Sequence, residues 1–332
     1  MAEMSIFDED AFQLAALTVA INDTPYTPGR IGALGLFHEQ GVPTLTVQIE
    51  KDGDTLVLVP AGERGGSGLV VTGSRRSLIP VNAVHLPQRF SILADEVQGI
   101  RAFGKTSELE AVQSRVNKRL EKCRSQLDIT HEYQRLGAIR GQVLDADGKV
   151  VLLDIYRLFG ISRPKPISMG LGDPGTSIRE RCSEILDQQE DTLGGLSSTG
   201  SRAFCGRNFW NKFRDHKGVV DTYLNSEQAA HLRGDPHESF EFGGIMWERY
   251  RGRVAGEPFV ADDEAMVVPE GVPDMFASWY APADYMETVN TEGLPYYAKL
   301  ERLPFDKGVA GEAQSNPLHI NTRPRAVIRV TI

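Results

Sequence analysis

Apolar residues return every three or four positions between residues 107 and 136, the longest stretch of helical period in the chain. Leu109, Val112, Val116, Leu120, Cys123, Leu127 and Tyr133 form the stripe, with a gap at Thr130. Arg115, Lys118, Arg119, Lys122 and Arg124 crowd the other faces. Ser107 and Glu110 have the spacing of a capping box, and Gly137 supplies a stop. At ~1.5 Å per residue the pattern predicts a rod of about 45 Å. One stripe needs one packed side, so the helix is expected to lie across a sheet. A coiled coil is the weaker alternative, because the stripe ends at a glycine after about four heptads.

Other segments have shorter periods. Residues 8–21 predict a short helix, with Asp8 as N-cap, apolar Phe12, Leu14, Ala15, Leu17 and Ile21, and a stop at Thr24, Pro25, Pro28 and Gly29. Residues 44–49 and 55–59 alternate or run β-branched around an Asp52-Gly53 turn signal, which predicts a hairpin. The glycine-rich stretch 62–68 follows and cannot pack a core of its own. A second hairpin is expected over 138–159, with strands at 139–144 and 150–156 and a turn at 145–148. A Pro/Gly-rich connector (160–176) leads to a helix over 176–189 that buries Ile178, Cys182, Ile185 and Leu186. The Gly/Ser segment 194–201 reads as a hinge or loop into a second lobe. That lobe is expected to hold helices at 209–216 and 219–233 and strands at 239–242 and 245–250. Shorter strands follow at 266–268, 275–279 and 325–332.

Composition narrows the class. With 332 residues, 41% hydrophobic and 24% charged, the chain is long enough for a sizeable core and is not globally disordered. A net charge of −9 argues against a dedicated nucleic-acid binder. Cys123, Cys182 and Cys205 are odd in number and far apart, which fits reduced thiols in a cytoplasmic place of synthesis. No apolar run approaches a membrane span, and Asp8, Glu9 and Asp10 stand where a signal peptide would carry basic residues.

Candidate chemistry is sparse. Gly170-Leu171-Gly172-Asp173-Pro174-Gly175 fits the GxGxxG spacing of a dinucleotide loop, but Arg163-Pro164-Lys165-Pro166 precedes it where a buried strand should stand. A connector loop is the better reading. Asp145, Asp147 and Gly148 hint at a calcium loop, yet the glycine comes too early and no glutamate closes it, so a hairpin turn is preferred. Cys205 with Asp215 and His216 could be offered as a thiol hydrolase, but no peptidase signature surrounds them, and a buried cysteine beside Phe204, Phe209 and Trp210 is the ordinary reading. His216, His231 and His237 lack metal spacing. No catalytic residue, cofactor or metal is assigned.

The last fifty residues say more. Ala281-Pro282-Ala283-Asp284-Tyr285-Met286-Glu287-Thr288-Val289-Asn290-Thr291 runs on to Gly293-Leu294-Pro295-Tyr296-Tyr297-Ala298-Lys299. Gln314-Ser315-Asn316-Pro317-Leu318 and Thr322-Arg323-Pro324-Arg325-Ala326-Val327 follow. Together these blocks resemble the C-terminal signature of the lambda-type (E-type) major capsid proteins of tailed bacteriophages. Length and the order of upstream segments agree, so the resemblance covers essentially the whole chain. Residues 243–252 resemble that family's strand leading to a glycine, here Gly252, and the Glu/Arg and aromatic pattern suits an outer face that meets a partner. Asn290, Asn316 and Arg323-Pro324-Arg325 read as turn or edge residues, with the two arginines able to pair with carboxylates across subunits.

The resemblance implies an α/β (α+β) HK97-like capsid fold. Its parts would be an N-terminal arm (1–30), an extended hairpin loop with adjoining strands (31–103) and a peripheral domain built on the spine helix (104–190). An axial domain (191–315) and a C-terminal strand returning to the body (316–332) would complete it. It implies a non-enzyme that self-assembles, as hexamers and pentamers, into an icosahedral shell enclosing double-stranded DNA in the host cytoplasm. Portal, scaffold and a head-decoration protein are the implied partners, with DNA held nonspecifically and no membrane. No cleavable scaffolding region is seen at the N-terminus, so a separate scaffold is expected. The alternatives are a cytosolic α/β enzyme using the 170–175 loop, and another virion protein such as a tail-tube subunit.

Overall fold

The computed structural model describes residues 7–24, 29–51, 77–97, 108–224, 239–254 and 257–332. Helices and strands are mixed, and the chain divides into two compact units. One gathers Met1–Val47, Pro80–Gln134 and Ala277–His319; the other gathers Gln48–Ile79, Arg135–Phe276 and Ile320–Ile332.

The first unit is built on the long helix and a three-stranded antiparallel sheet. The sheet order is Tyr297–Arg302, Gly308–Ser315, Leu86–Leu93. Val112, Val116, Leu120, Cys123 and Leu127, five positions of the expected stripe, pack on Ile92, Ala298, Val309 and Ala313. The helix therefore lies across a sheet, as its single stripe requires. Phe12, Leu17 and Ile21 from the N-terminal segment enter the same core. That segment is not one helix from Asp8. A 3-10 turn, Asp10–Phe12, is followed by extended Gln13 (φ −72°, ψ 157°) and then a helix, Leu14–Asp23. The break lets Phe7 and Phe12, with ring centroids 5.2 Å apart, both face inward.

The long helix runs Glu108–Arg140, 33 residues, so Gly137 does not stop it. A Cβ at Gly137 would sit 2.9 Å from the Gln142 carbonyl oxygen, so glycine is needed there for the returning strand. The stop is Gly141, with φ +83°, where the left-handed turn suits glycine. The following hairpin pairs Gln142–Leu144 with Val151–Asp154, shorter than expected at both ends. Asp154 ends its strand because its carboxylate accepts the Arg157 N–H at 3.0 Å and caps a short helix, Ile155–Phe159.

The second unit holds a six-stranded mixed sheet. Its order is Ile167–Ser168, Ile328–Thr331, Glu264–Glu270, Gly200–Cys205, Ile245–Arg249, Phe240–Phe242. The strand Gly200–Cys205 was not foreseen, and segment 194–201 leads into it from the helix Ile178–Leu193. Ala203, Cys205, Ala265, Val267, Ile328 and Val330 share one sheet face and pack under Ile178, Cys182, Ile185, Phe209, Trp210 and Phe213. Gly243 and Gly244, φ +61° and +79°, make the hairpin turn before Ile245, and a Cβ on Gly243 would collide with Cys182. Gln189, buried, donates to the Val267 and Ala326 carbonyls at 3.2 Å and accepts from Ser201 at 2.7 Å, fixing helix to sheet.

Of the expected first hairpin, Thr46–Lys51 is a strand, and its partner is Ser77–Asn82. Residues 55–59, the glycine-rich stretch 62–68 and the Ser107 cap lie outside the described residues, as does the expected helix beyond Leu224.

Trp247 is fully buried between Phe213 (4.2 Å between centroids) and Phe209 (5.9 Å), and its Nε1–H donates to the Phe242 carbonyl at 3.0 Å. Trp247→Ala removes both terms and is expected to lower stability by about 3–5 kcal/mol, read as the shift in a urea unfolding midpoint. A loss under about 1 kcal/mol would contradict this packing.

Candidate functional site

The first C-terminal block, 281–299, and residues 314–318 of the second close on each other inside the first unit. The Ala281 N–H donates to the Asn316 carbonyl at 2.9 Å, and Asn316 Nδ2 donates to the Pro282 carbonyl at 3.1 Å. Gln314 Nε2 donates to Asp284 at 2.7 Å, and the Ser315 hydroxyl donates to the Pro295 carbonyl at 2.6 Å. Thr288 and Thr291 hydroxyls tie the intervening turn to the carbonyls of Ala283 and Thr288, at 2.7 and 2.8 Å. Asn290 takes φ +60° there, a turn residue as expected. Asn316 is 4% exposed and its Oδ1 accepts from His85 Nδ1 at 2.8 Å. These polar residues are spent within the chain itself, on its backbone and on other side chains, which is what buried amides and hydroxyls require.

The long helix reaches the same lattice through polar residues. Beyond Leu120 its buried face carries Arg124, Asp128, His131 and Glu132. Arg124, expected on an outer face, donates to Asp128 at 2.9 Å and to the Ile21 carbonyl at 2.7 Å, and its guanidinium lies 3.8 Å over the Tyr296 ring. The Tyr296 hydroxyl donates to Asp128 at 2.5 Å. Burial first, and then the Asp128 carboxylate, push the Tyr296 phenol up. Since Ser315 donates to Pro295, His131 Nε2–H is the donor to Ser315 at 3.0 Å. Glu132 accepts the N–H groups of Ile31 (2.8 Å) and Gly32 (3.1 Å), neutralising the start of the helix Arg30–Leu34.

The candidate chemical groups do other work. Cys205 is fully buried and its thiol is held well above its ordinary value by burial; burial also pushes Cys182 up to about 12 and raises Cys123. His216 accepts the Gly218 N–H on Nδ1 at 3.1 Å, so Nε2–H donates to the Asp173 carbonyl at 3.0 Å. Asp215 is turned to Arg214 at 2.8 Å. The 170–175 loop is closed by Asp173, which accepts the Gly175 N–H at 2.9 Å. Asp147 caps the hairpin turn, accepting from Lys149 and Val150 at 2.9 and 3.0 Å; these bonds, the Val150 one foremost, hold its carboxyl low. Among the described residues no group of three His, Cys, Asp or Glu could hold a metal, and His231 and His237 lie outside them.

Surfaces are a different matter. Phe305 is 91% exposed at the tip of the hairpin joining Tyr297–Arg302 to Gly308–Ser315, with φ +65°. The Lys307 ammonium stands 5.8 Å from its ring centroid. Met286, Val289 and Leu294 are exposed on the signature turn, and Val150, Val151 and Leu152 on the hairpin of the second unit. The strand Ile245–Arg249 is not such a surface. Glu248 is buried and accepts from Arg202 at 3.0 Å, and Tyr250 packs edge-on to Phe204. Pro324 is buried at the entry to the last strand, its carbonyl accepting from Tyr156 at 3.1 Å.

The sequence pattern passed over Phe305, although Leu303-Pro304-Phe305-Asp306-Lys307-Gly308 carries a turn composition around an aromatic. It also missed Asp128 and Glu132, which prolong the stripe at four-residue steps from Leu120.

The family model for phage major capsid protein E matches residues 13–332. The chain belongs to this family. Major capsid proteins of Salmonella phage Felix O1 (isolate Felix O1-VT1) and Pseudomonas phage KPP10 are each 25% identical to it, over 97% of both chains. Its fold is similar to the crystal structures of a prophage protein from E. coli CFT073 (14% identity, 96% and 99% of the two chains, TM-score 0.58) and of a phage-related protein from Bordetella bronchiseptica RB50 (11%, 97% and 98%, TM-score 0.54). The fold class is HK97-like. As a phage major capsid protein, the chain is a structural component of the virion, and its copies assemble into a shell.

Two outcomes test the lattice. Tyr296→Phe leaves the buried Asp128 short of a donor and is expected to cost about 1.5–3 kcal/mol by chemical unfolding. The three thiols are expected to resist a maleimide in the native protein and to react fully in denaturant; rapid native labelling of Cys205 would reopen a thiol chemistry.

Proposed function

We propose that copies of this chain associate as pentamers and hexamers and close into an icosahedral head around double-stranded DNA, in the host cytoplasm, with separate scaffold, portal and decoration proteins. Residues 1–30 would serve as the arm and 31–103 as the overlapping loop with its adjoining strands. Residues 104–190 and 191–315 would form the peripheral and axial domains, and 316–332 the returning strand. Membership of the capsid family supports the reading, and no described helix is long and apolar enough to cross a membrane.

The observation that carries the contact between copies is Phe305. An aromatic residue in the left-handed region breaks a backbone rule, at about 1–2 kcal/mol, and a 91% exposed ring breaks a solvation rule. Inside its own subunit the turn's backbone is closed by the Asp306 N–H on the Leu303 carbonyl (3.1 Å) and the Leu303 N–H on the Gly308 carbonyl (2.9 Å), but the ring itself is met only by the distant Lys307 ammonium among the described residues. The compensation lies in a second copy, where burying the ring would contribute about 1.5–3 kcal/mol per contact. Multiplied over a closed shell, contacts of this size hold many subunits while each one stays reversible.

Phe305→Asn accepts the backbone conformation and removes the ring. It is expected to leave subunit stability equal or higher by up to about 1 kcal/mol, while the concentration needed for shell formation rises about ten- to a hundredfold. Negative-stain microscopy and light scattering, with and without the scaffold, read the second effect. Shell formation at an unchanged concentration would refute the Phe305 contact.

A further inference from the structure

Three arginines converge on one small hollow of the second unit. Arg140 ends the long helix, Arg163 follows the short helix Ile155–Phe159, and Arg329 lies in the last strand. With Tyr156, Pro164, Met266 and Val327 they line a hollow of about 20 Å³ that opens to solvent, so that one oxygen atom fits inside while the rest of a larger group would stand at its mouth. No carboxylate is among the lining residues.

The sheet explains why they meet. Met266 and Arg329 are cross-strand neighbours, while Ile328 and Val330 point into the core on the other face. Period-two alternation therefore turns Arg329 toward the hollow. The Tyr156 hydroxyl is committed to the Pro324 carbonyl at 3.1 Å, which fixes its ring as a wall, and the Arg163 guanidinium lies 5.0 Å over that ring. Arg140 donates to the Phe259 carbonyl, which orients its fork.

Arg329 supplies an independent sign. Its Nε is buried and has no hydrogen-bond partner among the described residues, and its ion pair with the partly exposed Glu264 is long, at 3.8 Å. A buried donor left unbonded costs free energy. Three guanidinium groups around one cavity add mutual repulsion. One bound oxyanion would relieve both.

We propose that Arg140, Arg163 and Arg329 form a binding site for a phosphate group. A carboxylate brings one charge against three; a phosphate brings up to two charges and several acceptor oxygens, and planar guanidinium forks match it well. The group could come from free phosphate or from a nucleic-acid backbone, and the same guanidinium chemistry reads both. The proposal goes beyond shell building, since the free subunit contains all three arginines.

Calorimetric titration of the full-length subunit with inorganic phosphate tests it, with sodium chloride holding ionic strength constant. Saturable binding is expected, with a melting temperature that rises with phosphate concentration. Arg163→Gln, at an exposed position that leaves the core intact, should weaken binding about tenfold or more, the change that follows loss of a charge-assisted hydrogen bond. Arg325→Gln, exposed and outside the hollow, should bind as the parent does. A short DNA duplex that displaces phosphate would identify the backbone as the source, and one that does not would identify free phosphate; either keeps the site. Absence of saturable binding would overturn the proposal, as would equal binding by Arg163→Gln. Acetate binding as tightly as phosphate through Arg163 would replace it with a carboxylate site.

Discussion

A helix of 33 residues that packs along one side must do something with the polar residues that fall on that side. Here the chain answers with partners fixed elsewhere in sequence. Arg124 and Asp128 face each other one turn apart, and Tyr296, far along the chain, covers the first and donates to the second. Loss of either Arg124 or Asp128 would leave a buried charge unpaired, which costs several kcal/mol. The three-stranded sheet, the N-terminal helix and the signature turn all arrange themselves around this constraint. Ile21 gives its carbonyl to Arg124, and Asn22 donates to the Tyr296 carbonyl at 2.9 Å.

The same constraint gives the family blocks a physical meaning. Asp284, Ser315 and Asn316 have the letters of an active site, yet each is bound to the other block or to its backbone. A subunit whose task is to keep its shape while its edges meet neighbours gains from such a lattice, because satisfied polar networks specify one arrangement where apolar contacts tolerate several. The second unit reaches rigidity differently, through aromatic packing of Trp247, Phe209 and Phe213, with polar ties such as that of Gln189.

The contacts proposed for this molecule sit where those interior rules are broken. The ring of Phe305 stands in water on a left-handed backbone, and the guanidinium of Arg329 keeps a buried donor open. Both face away from the cores that stabilise the subunit. An interior whose polar groups are for the most part paired and a periphery that exposes apolar side chains is the division expected of a protein that works by association.

The sequence by itself determined the long helix, its apolar stripe, the Asp147-Gly148 turn, the helix beginning near Ile178 and the family, because these depend on local period, turn residues and short-range motifs. It did not disclose the central strand Gly200–Cys205, whose glycine and serine start reads as loop until Glu264–Glu270 and Ile245–Arg249 flank it. Nor did it place Arg124 inside, since a charge can be buried only when a distant Asp128–Tyr296 pair makes that favourable. The exposure of Phe305 and the meeting of Arg140, Arg163 and Arg329 belong to the same class. Local period tells which residues share one face of one element; which faces meet, and which stay bare, is decided by pairings between residues far apart in the chain.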